Sequence, residues 1–115
     1  MNARFTKSER LLKKKEFQRV FDEGRTFRNN ELLVYALPNG MDKSRLGLVV
    51  GKKVGHAVRR NRIKRIIREA FRLNKGLLRF GVDIVLIPRP GLTSPKLSTI
   101  EDGFERLLSR ISAEL

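Results

Sequence analysis

Hydrophobic residues recur at helical spacing in three segments of this chain and alternate, or run together, in three others. In the first helical segment, Lys13 to Glu23, Phe17, Val20 and Phe21 share one face and Gly24 offers a stop. In the second, Ala57 to about Leu73, the stripe is Ile63, Ile66, Ile67, Ala70 and Phe71, and Asn74-Lys75-Gly76 closes it. In the third, about Thr99 to Ile111, Ile100, Phe104, Leu107, Leu108 and Ile111 form the stripe, with Gly103 on the exposed side. Ser98-x-x-Glu101 reads as its capping box. Strand patterns cover Leu32 to Leu37, ended by Pro38-Asn39-Gly40, then Arg45 to Val50, and Val82 to Ile87, stopped by Pro88 and Pro90. Arg25 to Phe27 pairs at an edge. The order strand, helix, strand predicts parallel pairing of Arg45–Val50 with Val82–Ile87. The expected fold is one α/β domain, a small sheet of about four strands packed with about three helices. Residues 1–9 read as a basic arm, and there is no internal repeat or second domain.

The polar side of the second helix changes the picture. Between Arg59 and Arg72 it reads RRNRIKRIIREAFR, seven arginines and lysines with one acidic residue, Glu69. Like charges at i,i+4 destabilise an isolated helix, and a solvated face normally mixes signs. A fold tolerates such a face most readily when a polyanion neutralises it, and nucleic-acid phosphate is the obvious one.

Overall charge agrees. The 115 residues carry a net charge of +14, and 40% are hydrophobic, enough for a core. The longest apolar runs, such as Ile84 to Pro88, are too short to span a bilayer, so no membrane partner is expected. The start, MNARFTKSER, has no apolar signal region, and cysteine is absent, so a reducing cytoplasmic location is the default expectation.

Enzyme chemistry finds little material. With one histidine, His56, and no cysteine, the chain offers no thiolate zinc site and no Cys/His pair. Asp42, Asp83 and Asp102 lie in separate segments and show no paired-carboxylate pattern. Gly47, Gly51 and Gly55 do not match G-x-G-x-x-G or a Walker pattern and read as turn and close-approach positions. No catalytic residue is assigned, and metal ligands stay unknown.

The block RLGLVVGKKVGHAVRRNRIKRIIREAFR, Arg45 to Arg72, resembles the bacterial ribonuclease P protein family. Its most specific part, Arg60 to Arg68, looks like that family's RNR helix, placed after Lys52-Lys53 and a Leu-Gly-Leu strand. Glu16-Phe17-Gln18-x-x-Phe21 resembles the family's first helix, Leu33 to Leu37 with Tyr35 its central strand, and Asp83 to Arg89 its last strand. Many members carry alanine where Pro88 stands. The resemblance implies an α+β two-layer fold like the second domain of ribosomal protein S5, with a left-handed β-α-β crossover that the residues themselves do not predict.

The resemblance also implies a division of labour. The family's RNA subunit cleaves precursor tRNA with Mg2+, freeing the mature 5′ end, while the protein binds the catalytic RNA and holds the 5′ leader. No cofactor is expected on the protein alone, and no DNA partner. The residues implied for the catalytic RNA are Arg59, Arg60, Asn61, Arg62, Lys64, Arg65, Arg68 and Arg72. Those implied for a leader-binding cleft are Phe17, Phe21 and Tyr35, with Lys52, Lys53 and Arg89 supplying charge nearby. Unpaired bases stack on aromatic rings, which suits the first three, although Phe17 and Phe21 are also core-like positions. An alternative is a basic ribosomal or RNA-chaperone protein without a nuclease role. A DNA-reading helix is disfavoured, because a polar face of arginine and lysine suits phosphate rather than base edges.

Overall fold

The computed structural model describes residues 6–89 and 97–115, with side chains in the second stretch from Thr99 onward. Among these residues, three helices, α1 (Lys14–Glu23), α2 (Ala57–Asn74) and α3 (Leu97–Glu114), combine with four strands, β1 (Arg25–Arg28), β2 (Leu32–Pro38), β3 (Arg45–Leu48) and β4 (Val82–Pro88). The strands form one sheet in the order β1-β2-β4-β3. β1 and β2 are an antiparallel hairpin, β2 pairs antiparallel with β4, and β3 pairs parallel with β4 across the α2 crossover. β4 sits inside the sheet and is buried over most of its length, as its near-continuous apolar run requires. The elements fall close to where the hydrophobic pattern puts them, but β3 ends at Leu48 and not Val50, and α3 begins at Leu97, so Ser98, read from sequence as its cap, lies within the helix. Ser98's side chain, Pro90 and residues 1–5 lie outside the described residues.

The two faces of the sheet are treated differently. Val34 and Ala36 of β2 and Ile84 and Leu86 of β4 turn to one side and pack with α2 and α3. There Ile63, Ile67, Ala70 and Phe71 of α2 meet Ile100, Phe104, Leu107, Leu108 and Ile111 of α3, all within 2% of complete burial. The Phe71 and Phe104 rings stack at 6.3 Å. Gly103, read from sequence as an exposed break in α3, has a packing reason. A Cβ there would stand 2.9 Å from Asn29 Nδ2 in the β1–β2 hairpin loop.

On the other side, α1 lies across β2 and β4, and a smaller cluster forms around Leu11, Val20 and Val85. Residues Thr6 to Leu11, expected in part as a basic arm, are fastened to the body. Lys7–Glu9 is a 3-10 turn in which the Glu9 carboxylate accepts from the Thr6 N–H at 3.0 Å and from Lys75 Nζ at 2.6 Å. Leu11 N–H then donates to the Leu46 carbonyl at 3.0 Å, covering part of the β3 edge. The glycine-bounded loop before α2 contains a second 3-10 turn, Lys52–Val54, and its C-cap Gly55 has φ 147°, a conformation glycine adopts freely.

Candidate nucleic-acid interface

The first turn of α1 is pinned to the sheet by charge. Leu12 N–H and Lys13 N–H donate to Glu16 Oε1 at 3.1 and 3.0 Å. Arg45 of β3 donates to Glu16 Oε2 at 2.8 Å and forks onto Asp83 of β4 at 2.8 and 2.6 Å. Asp83 is buried, and Asn39 Nδ2 supplies it a further donor at 2.9 Å. The Asp83 fork outweighs burial and raises the Arg45 pKa. The Lys13 N–H, helped by Leu12 and Arg45, holds the Glu16 carboxyl below its ordinary value against the opposing effect of burial.

So pinned, α1 lays its aromatic residues on the sheet and covers it only in part. Phe17 rests on β3 at Gly47, where a Cβ would stand 2.6 Å from the ring, so a larger residue there would push the ring off the sheet. Phe21 meets Tyr35 edge-on, with centroids 5.0 Å apart and planes at 84°. Tyr35 and Gly47 flank Val85 in one row of the sheet, and Leu33 pairs with Ile87 in the next row toward the end of β4. Phe17, Phe21, Tyr35, Leu33 and Ile87 all remain half-buried. The result is an apolar shelf with three aromatic side chains at its wall, a surface on which unpaired bases can stack.

Helix α2 divides its cations between two flanks. Asn61, Arg62 and Arg65 are exposed on the outer side. Lys64 and Arg68, one turn apart, are half-buried and line a cleft with Arg10, Leu11, Leu12, Phe17, Leu46 and Leu48. Burial there, with the nearby Arg10 charge, lowers the Arg68 pKa, so an incoming phosphate would relieve both costs. Arg60 lies one turn before Lys64 on the same flank, and its buried Nε has no hydrogen-bond partner among the described residues.

Two residues of the expected RNA-binding set are engaged within the protein. Arg59 packs over Gly55 and donates from Nε to the Val54 carbonyl at 2.8 Å, bracing the turn before α2. Arg72 is paired with Glu69, donating from Nε at 3.0 Å and again from a terminal nitrogen. Of the cleft residues, Phe17, Phe21 and Tyr35 come together. Lys52 and Lys53 stand exposed on their 3-10 turn. Arg89 is turned to the hairpin loop, where its guanidinium donates to the Asn29 carbonyl at 2.9 Å.

Sequence reasoning missed Arg10 as a partner of Lys64 and Arg68. The available signal was Thr6-x-x-Glu9, a capping pattern that fixes the chain just before Arg10. It also missed the Glu16–Arg45–Asp83 network, which joins residues far apart in sequence and leaves no local pattern. Among the described residues, no group of three His, Cys, Asp or Glu side chains is placed to hold a metal ion, and no helix is long and apolar enough to cross a membrane.

Known proteins share this fold over nearly the whole chain. The sequence matches the family model described as Ribonuclease P over residues 5–112. It is 43% identical over 115 residues to the ribonuclease P protein component of Thermotoga maritima, covering 96% of this chain and 98% of that one. The solved structure of the RNase P protein from Thermotoga maritima superposes with a TM-score of 0.82 at 43% identity, over 89% of this chain and 96% of that one. That of the Staphylococcus aureus RNase P protein gives 0.81 at 36% identity, over 91% and 96%. A basic α2, an aromatic shelf under α1 and this degree of likeness in sequence and fold lead to one conclusion: the chain belongs to the ribonuclease P protein family.

Proposed function

We propose that the chain serves ribonuclease P by binding two RNAs at once: the catalytic RNA along the outer face of α2, and the single-stranded 5′ leader of precursor tRNA on the shelf beside α1. The observation that carries this reading is the pairing of two chemically different surfaces on one small domain. Arg62 and Arg65 are exposed with no acidic partner among the described residues, which suits phosphate contact. Phe17, Phe21 and Tyr35 are gathered beside α1, each half-buried and partly exposed, which suits unstacked bases. Lys64, Arg68 and Arg10 lie between the two surfaces, beside Phe17, and are placed to hold the strand's phosphates as it leaves the shelf.

The hydrolytic step belongs to the RNA subunit and its Mg2+ ions in this reading. The protein's part is positioning and charge neutralisation, and its place of work is the cytoplasm. The test is a cleavage assay with a bacterial ribonuclease P RNA and 5′-labelled precursor tRNA at low Mg2+, where the RNA alone is slow. Adding the protein restores cleavage at the mature 5′ end. Tight RNA binding with no gain in cleavage would contradict the reading.

A further inference from the structure

Glu69 is the acidic residue within the basic stretch of α2, and the roles proposed above leave it unused. With Arg62, Arg65 and Ile66 it lines an open hollow of about 380 Å3 on the outer face of the helix. The composition of that hollow differs from a simple phosphate site. Ile66 is half-buried, packed against the main core, and gives the hollow an apolar floor. Arg62 and Arg65 stand beside it as exposed cations. Glu69 is fixed by Arg72, and that hydrogen bond lowers its pKa and keeps it ionised. A carboxylate offers about four acceptor positions, so two donors from Arg72 leave others open. Val58, 78% exposed one turn before Arg62, adds apolar surface to the same side.

A carboxylate repels phosphate but accepts hydrogen bonds from the amino groups on base edges. We propose that this hollow receives one unpaired nucleobase of the ribonuclease P RNA, seated on Ile66 with an amino-bearing edge donating to Glu69, while Arg62 and Arg65 take the flanking phosphates. Cytosine, adenine and guanine carry such an amino group and uracil does not. The inference rests on assigning the outer face of α2 to the catalytic RNA.

The test is binding of the full chain to a bacterial ribonuclease P RNA across a series of KCl concentrations. Glu69 is a surface residue, its side chain 43% exposed, so Glu69→Ala leaves the core intact. The variant is expected to lose about fivefold or more in affinity without a flatter salt dependence. Probing of base edges on the RNA should show one base protected by the wild-type chain and exposed with Glu69→Ala. If Glu69 serves only to neutralise Arg72, removing it frees a cation and affinity rises; a rise, or no change, overturns the proposal. Arg65→Ala separates this inference from its foundation. A log–log salt slope flatter by about 0.7–0.9 supports the helix as the RNA face. An unchanged slope removes Arg65 from that face and overturns the site with it. A flatter slope together with gained affinity for Glu69→Ala overturns the base hollow alone.

Discussion

On the face under α2 and α3, Val34, Ala36, Ile84 and Leu86 lose all solvent contact; across the same two strands Asp83 and Val85 are buried too, but Leu33, Tyr35, Leu37 and Ile87 keep part of their exposure. The apolar residues differ little in type, so hydrophobicity does not set the two faces apart. Cover does. Two long helices seal the first face, and one short helix, α1, lies across the second. A small domain gains most of its stability from a sealed face. The second face holds three aromatic rings against a modest cluster and leaves each of them partly exposed, which suits contact with another molecule.

The largest effects should come from substitutions that probe this contrast directly. Ile84 and Ile87 lie on β4 with their side chains on opposite faces, Ile84 fully buried and Ile87 half-buried. Ile84→Ala should cost about 3–5 kcal/mol in urea unfolding, and Ile87→Ala less than about 2 kcal/mol, because less surface is lost and the site opens to water. Equal costs would mean that both faces are sealed in solution.

Next comes the pin that sets α1 at its angle. Arg45→Ala leaves the buried Asp83 with Asn39 as its remaining side-chain donor, at a cost on the order of 3 kcal/mol. Because the same guanidinium holds Glu16, hydrogen exchange should rise in α1 before it rises in α2 or α3. Uniform loss of protection would place α1 in the main cooperative unit.

The smallest effect is a pH dependence. The folded pKa of Glu16 lies below its ordinary value near 4.5, so its contribution to stability is present above that value and lost as pH falls through the folded pKa. Glu16→Gln should therefore be less stable at neutral pH, with the gap to wild type closing as acid is added below about pH 4.5. Urea unfolding measured from pH 7 to pH 3 reads this difference. A gap that stays constant would remove the carboxylate charge from the account.

The elements and the sealed core were legible in the sequence because they rest on short-range periodicity. Ile63, Ile67, Ala70 and Phe71 announce their burial by spacing alone. Exposure on the shelf was not legible. Phe17 and Phe21 show the same i,i+4 spacing that a fully buried pair would show, and how far α1 covers the sheet depends on Arg45, Asp83 and Gly47, which lie elsewhere in the chain. The RNR helix identified the basic surface, yet composition did not show that Arg59 and Arg72 are engaged within the protein while Lys64 and Arg68 turn toward Arg10. Side-chain partners across elements decide which arginines remain available, and no local window contains them.

The most direct test of the shelf is the affinity of the assembled protein–RNA complex for precursor tRNA and for mature tRNA, with wild type and with Phe17→Ala. Stacking of one base on an aromatic ring is worth about 1–3 kcal/mol, so Phe17→Ala should weaken precursor binding about tenfold and leave mature tRNA binding unchanged. Equal loss for both RNAs would assign Phe17 to packing and contradict the open face as the leader's site.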